Sequence, residues 1–455
     1  MPDKDPRRII AEGDWWLPGS ESKKVKGILT HSPEDGTTLR IHDSLAPDVS
    51  VHGIVLGNQG AHHARIFGAA GNHLFSLENC SRTERTSGHL NNSPETAAYN
   101  VGSFFRGVHW PNAMEPSAES ISGDLRYLTH WVDRSGIRST HNRFDPDLGY
   151  SAARPFASLD LVPQPKQSVP LDNGMTLLLY HNVKADAPSP TQSFLSEKYM
   201  ARFASPSGVL PTSDLTDQIS NLQDLVSIAT GRTAEFDSLS FRPSGSHALG
   251  RPDIRTPIDF FARWLALDTS PTPHQLHPHQ MHFTFDALGG IAGVRRWLNT
   301  ADIHRPLLGR VMSSRYNPHL FVEDRFFHRV VALEALGRHL IKETDNPKKD
   351  PSLKWALNRC ISTAGPHFLN LVGDDTETWA GNIVTLRNDI SHHYGKRPDQ
   401  VGAPQYYLAE SLYWLFVLCL LQLSSAPDEV YQQIRRHRQW SWLRPRVAES
   451  LRTTP

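Results

Sequence analysis

From Gln405 to Leu423 the chain is apolar almost all round, and the run Leu412 to Leu421 is unbroken between Ser411 and Gln422. A helix with no polar face cannot rest on a surface, because every side of it gains by leaving water. The unbroken run is about half the length needed to span a bilayer. It is therefore expected as the buried member of a helical bundle, and the preceding residues must supply the helices that cover it. A first helix is expected over about Val322 to Leu340, with Phe326, Val330, Leu333, Gly337 and Leu340 on its inner face. After the polar linker Lys342 to Pro351, a second is expected near Leu353 to Ile361, resuming at His367 to Leu371 beyond Gly365-Pro366.

A third helix carries the chemistry. Trp379, Ile383, Leu386 and Ile390 recur at steps of four, three and four, which makes one face apolar. Asp374, Asp375 and Glu377 crowd its expected first turn, and Gly395 and Pro398 end it. Off the apolar stripe lies Arg387-Asn388-Asp389-Ile390-Ser391-His392. The plain reading makes Arg387 a solvated cation and His392 a partner for the helix dipole. The chemical reading notes that arginine offers a permanent charge and a planar fork suited to phosphate, whereas histidine moves protons near neutrality. A step of five residues is about 140° around a helix. One cleft using both groups therefore calls for a second copy of the helix, and so for a dimer.

The string from Arg387 to His392 resembles the R-x-x-x-x-H signature of HEPN domains, with a polar residue after the arginine, and four expected helices surround it in the order such a domain requires. Near the N-terminus, Gly13-Asp14-Trp15-Trp16-Leu17-Pro18 followed by Val25-Lys26-Gly27-Ile28-Leu29 resembles the opening of the N-terminal region of ApeA-like proteins, in which a strand-rich module precedes a HEPN domain. Asn221 to Gly231 looks like the helix that closes that region. The resemblance implies a metal-independent RNA endonuclease of bacterial anti-phage defence, with no cofactor. His392 would act as general base or acid and Arg387 would stabilise the pentavalent phosphate. Asn388 would orient one of the two or contact phosphate, while His393, adjoining the motif, could substitute for His392. The RNA's own 2′-hydroxyl would attack, leaving a 2′,3′-cyclic phosphate and a 5′-hydroxyl. The implied partners are RNA and a second copy or higher oligomer through the HEPN bundle; the N-terminal region would be the sensor or the restraint, with a phage-derived signal as a candidate trigger on which the resemblance is silent. Two rivals stay open: a non-catalytic HEPN module for dimerisation or binding, and a ligand-binding β-domain with a helical appendage.

The remaining chain sets the fold class, α+β. Residues 1–165 read as a β-rich, sandwich-like region or a curved antiparallel sheet, with strands such as Val25 to Leu29, Thr38 to His42, Val51 to Leu56, His73 to Leu77 and Tyr99 to Phe105 between Gly, Pro, Asn and Asp clusters. Trp15 and Trp16 are expected to pack in it. Residues 166–300 read as mixed: a strand over Met175 to Tyr180, then helices over Phe194 to Phe203, Leu215 to Thr230 capped by Gly231, Ile258 to Leu267 and Gly289 to Leu298. Residues 305–455 complete the chain as the all-α HEPN four-helix bundle with a basic tail.

Several function classes find no support. His274, His277, His279 and His282 lie among Pro271, Pro273 and Pro278 with no cysteine near, and read as a surface loop rather than a metal site. There is no Walker lysine motif, dinucleotide fingerprint, G-x-S-x-G elbow or H-E-x-x-H pair. Cys80, Cys360 and Cys419 are far apart and odd in number, as suits thiols in a reducing compartment. The N-terminus has no apolar core of signal-peptide length, so a cytoplasmic protein with no membrane partner is expected. Formal net charge is zero, which leaves any RNA contact to a local patch. One such patch is evident after Val430, where Arg435, Arg436, Arg438, Arg444, Arg446 and Arg452 face only Glu449, with Trp440 and Trp442 interleaved. That tail reads equally as an RNA surface or as a helix whose tryptophans pack inward.

Overall fold

The computed structural model describes residues 5, 7–45, 49–51, 54–56, 62–86, 96–111, 114–141, 157–185, 194–245, 247–248, 251–262, 276–340, 352–392 and 403–453. Its β-rich N-terminal region is built on one long strand, Thr96–Arg106. From there the antiparallel order runs through Gly36–Ile41, Val25–Ser32, Ile9–Trp16, His62–Ala70 and His73–Thr86, which pairs back with Thr96–Arg106. These six strands close a barrel, where a sandwich or a curved antiparallel sheet was expected. Alternation fixes which side chains of a strand share a face but not which strands meet, so barrel and sandwich share one pattern. Trp15, Leu29, Leu39, Ile66, Phe75 and Tyr99 fill the interior. Trp15 fits because Gly68 has no side chain: a Cβ there would lie 2.2 Å from the indole.

The second half of Thr96–Arg106 begins an open sheet. Ser103 to Arg106 pair with Ala262 to Asp259 of strand Ile258–Ala262, and the sheet continues through Phe236–Arg242, Ser120–Leu125, Leu195–Ala204, Thr176–Ala185 and Gln167–Pro170. Neighbouring residues of the shared strand thus feed two interiors, Phe104 the barrel and Phe105 the core beneath the sheet. Two expected helices are strands here. Leu195–Ala204 buries Tyr199, Ala201 and Phe203 at steps of two and pairs with Thr176–Ala185 over ten residues. Ile258–Ala262 buries alternate residues in the same way, and the rest of the expected Ile258 to Leu267 helix lies outside the described residues. Ladder pairing and burial of one face at steps of two override local helix preference at both places. A short helix, α1 (Leu128–Val132), and the long α2 (Thr212–Thr230) pack on this sheet. Gly231 ends α2 with φ 70°, the left-handed cap expected there.

The core under the sheet runs without a break into the helices that follow. These are α3 (Gly290–Ile303), α4 (Arg305–Tyr316), α5 (Val322–His339), α6 (Leu353–Ala364), α7 (Pro366–Val372), α8 (Thr376–His392), α9 (Ala403–Leu423), α10 (Asp428–Arg436) and α11 (Arg438–Thr453). The expected four-helix arrangement is formed by α5, the broken pair α6 and α7, α8 and α9. Helix α9 is long and apolar enough to cross a membrane, yet 78% of its apolar window is buried, and every residue from Leu412 to Leu421 is at most 2% exposed. It is covered by α3, α5, α6, α7 and α11. Cys80, Cys360 and Cys419 are free and buried.

Charge is nevertheless held inside this apolar bundle. The Arg329 guanidinium of α5, 1% exposed, donates to Glu410 Oε1 of α9 at 2.8 Å and to the Ala409 carbonyl at 2.7 Å. Arg315 of α4 reaches the other carboxylate oxygen at 3.5 Å. Both guanidiniums lie over the Tyr413 ring, at 5.2 and 5.3 Å. Burial pushes the Glu410 carboxyl up, but the two arginines outweigh it and hold it below its ordinary range. A second buried group joins α2 to α4: Arg305 Nη1 donates to Asp224 at 2.8 Å and to Asn221 Oδ1 at 2.7 Å, and the Tyr316 hydroxyl donates to Asp224 at 2.6 Å. Removing one member of a buried pair strands the other charge, at a cost of about 3–5 kcal/mol. Chemical denaturation of Glu410→Ala should show a loss in that range, with Glu410→Gln milder because an acceptor remains. A loss under about 1 kcal/mol would mean that the pair does not hold the bundle.

Candidate functional site

Helix α8 is held by specific contacts at its first turn. Asp375 accepts the Thr378 backbone N–H at 3.1 Å and so caps the helix; these hydrogen bonds keep its carboxyl below the ordinary range. Glu377 meets Lys354 of α6 at 2.7 Å and accepts from Asn358 at 2.9 Å. The Trp379 indole N–H donates to Ser411 Oγ of α9 at 2.9 Å, inside the core. Trp379, Ala380 and Ile383 are buried, and Leu386 and Ile390 pack against the core at its margin. The apolar stripe thus faces inward as its spacing requires, which turns the motif toward the opposite side.

On that side Arg387 is half-buried and Asn388 exposed. Arg387 Nη1 donates to Asn388 Oδ1 at 3.3 Å, and the Ser391 hydroxyl donates to the Arg387 carbonyl at 2.8 Å. Arg387 has no carboxylate partner among the described residues, so its charge is available to a ligand. His392 is the last residue of α8, five positions on. That spacing sets the two residues about 140° apart around the axis. The His392 side chain, and all of His393, Gly395 and Pro398, lie outside the described residues. Glu334 of α5 is engaged by Arg338 at 2.8 Å.

Helix α11 packs against α8 and α9 and divides the two readings of the basic tail between its tryptophans. Trp440 is 2% exposed, lies edge-on to Trp414 and donates its indole N–H to Asn370 Oδ1 at 3.0 Å. Trp442 is 40% exposed, with the Arg446 guanidinium 4.4 Å from its ring centre. Four-residue steps put Arg438, Trp442 and Arg446 on one face of α11.

The family model ApeA N-terminal domain 1 matches residues 11–297, and the Apea-like HEPN model matches residues 323–430. The second range opens within α5 and encloses α8 and α9. No curated protein and no solved structure matches the chain.

One functional-looking side chain was placed wrongly by sequence reasoning. His277 and His279 stack on each other at 5.6 Å near the surface, and His274 lies outside the described residues. His282 belongs to no surface loop: it is 1% exposed. Met281, Phe283 and Phe285 beside it are buried as well, and that apolar run was the available signal. His282 Nδ1–H donates to the Ile228 carbonyl of α2 at 2.7 Å, and its Nε2 lies 2.9 Å from Gln439 Oε1 of α11. Burial, helped by neighbouring His437, pushes its pKa down to about 4, so the ring is neutral. A histidine depressed on folding stabilises above its unfolded value of about 6.5 and loses that contribution as pH falls toward 4. Melting temperature should therefore fall between pH 6.5 and 4, by up to roughly 3 kcal/mol of stability from this residue. His282→Gln should flatten part of that slope; an unchanged slope would show that His282 does not control it.

Proposed function

Because this chain belongs to the ApeA-like HEPN family, we propose that it is a metal-independent RNA endonuclease acting in abortive anti-phage defence. The observation that carries this reading is Arg387: a permanent cation on the outward side of a core-anchored helix, with no carboxylate partner among the described residues. An arginine so placed suits the charge that accumulates on a phosphorus in transit. His392 removes the proton of the 2′-hydroxyl, which then attacks the adjoining phosphorus, and the departing 5′-oxygen takes a proton. Two facing copies of α8 supply two imidazoles, one for each proton transfer, and bring each arginine to the opposite histidine. Asn388, already hydrogen-bonded to Arg387, orients the guanidinium.

In this reading residues 305–455 cleave RNA in the cytoplasm and residues 1–300 restrain or trigger them. The buried link from Asp224 of α2 to Arg305 and Tyr316 of α4 supports a signal path between the two.

Arg387→Ala and His392→Ala are the decisive variants, made singly and with a His392→Ala/His393→Ala double to exclude substitution by the neighbour. Total RNA should be cut by the parent protein in EDTA, leaving 2′,3′-cyclic phosphate ends, and an oligomer with a 2′-deoxy scissile nucleotide should resist. Each variant should lose about 100-fold or more of cleavage and relieve growth arrest on overexpression. Undiminished toxicity and cleavage in both would rule the mechanism out and favour a non-catalytic HEPN module.

A further inference from the structure

Between the C-terminal end of α2, the segment 280–282 and the start of α11 lies a cleft of about 510 Å³. Its lining includes Arg232, His282, His437, Arg438, Gln439 and Trp442, and none of its lining residues is acidic. Neither Arg232 nor Arg438 has a carboxylate partner among the described residues, so both guanidiniums keep their full charge for a ligand.

The imidazoles are fixed parts of the wall. His282 is anchored on Ile228 and Gln439. His437 Nε2–H donates to the Gln280 carbonyl at 3.2 Å, while its Nδ1 accepts the Gln439 backbone N–H at 3.2 Å. With both ring nitrogens engaged, His437 positions the segment 280–282 against α11. The wall is therefore rigid, and the groups left to meet a ligand are two guanidiniums and the exposed indole of Trp442.

From the cleft the same chemistry continues along α11. Arg438, Trp442 and Arg446 follow one another at four-residue steps on one exposed face, and Arg446 already stacks on Trp442. A cation, a flat ring and a cation in succession on one helix face offer the two contacts a nucleic-acid strand needs, charge for its phosphates and an aromatic face for its unpaired bases.

We infer that this cleft and the adjoining face of α11 form a second RNA-binding site, which grips single-stranded RNA on a helix that packs against α8. It rests on the ribonuclease reading for the identity of the strand. Phosphates sit between Arg232 and Arg438, and a base stacks on Trp442. Since α11 packs directly on α8, a strand held here is anchored on the same body that carries Arg387. The site selects strands with unpaired bases, because a duplex cannot offer a base face to Trp442.

The test is direct binding with the full-length protein carrying Arg387→Ala, in EDTA, to a fluorescein-labelled single-stranded RNA 12-mer. Adding Arg438→Glu should weaken binding at least tenfold and reduce the slope of affinity against salt. Adding Trp442→Ala should weaken it about as much with the slope unchanged, since stacking releases no counterions, and Trp442→Phe should restore most of it. Matching circular dichroism and melting curves exclude misfolding as the cause. Affinities within twofold of the parent in both variants would overturn the site. Displacement of the 12-mer by micromolar adenosine monophosphate would reassign the cleft to a free nucleotide and overturn it equally. Binding is read without cleavage, so loss of the ribonuclease mechanism would leave these outcomes intact.

Discussion

The arrangement of the helices depends on one ion pair kept out of water. A guanidinium and a carboxylate lose far more hydration on burial than a hydrocarbon gains, so they are tolerated only when they find each other at close range. Arg329 and Glu410 do so across α5 and α9, and Arg315 brings α4 to the same oxygen pair. Hydrocarbon packing alone lets helices slide, because one aliphatic neighbour is nearly as good as another. A bonded charge allows no such exchange of partners. The register of α4, α5 and α9 is set by this group, and Ser411, one residue on from Glu410, receives the Trp379 indole and so fixes α8 as well.

Helices with a clear apolar stripe were legible in the sequence, and the reason is geometric. Phe326, Val330 and Leu333 of α5, or Trp379, Ile383 and Leu386 of α8, state a helical period that only one structure satisfies. Phe194 to Phe203 was misread because its outward residues, Met200 and Arg202 among them, are long side chains equally at home on a helix. What makes it a strand is Thr176–Ala185 beside it, and a partner strand is not written in a segment's own residues. Barrel closure escaped for the same reason, since it is a fact about Thr96–Arg106 meeting two edges at once.

The candidate site was legible in part. Arg387 and Asn388 could be placed off the apolar stripe from spacing alone, and they lie there. The tail was not resolvable: Trp440 and Trp442 stand two apart in one helix, so whichever faces the core turns the other outward. His282 was lost to its company, since a histidine following the proline- and histidine-rich run that ends at Pro278 reads as surface until the buried carbonyl of Ile228 is seen to need a donor.

The strand shared by barrel and sheet has a mechanical consequence. A hydrogen-bonded ribbon bends readily out of its plane but resists shear within it, because shear would break the ladder. Phe104 is clamped among the barrel's aromatic rings and Phe105 among those under the sheet, one peptide unit apart. A torque applied to the barrel cannot dissipate at that junction. It passes along the backbone as twist into the sheet on which α2 rides, and α2 carries the carboxylate that holds α4.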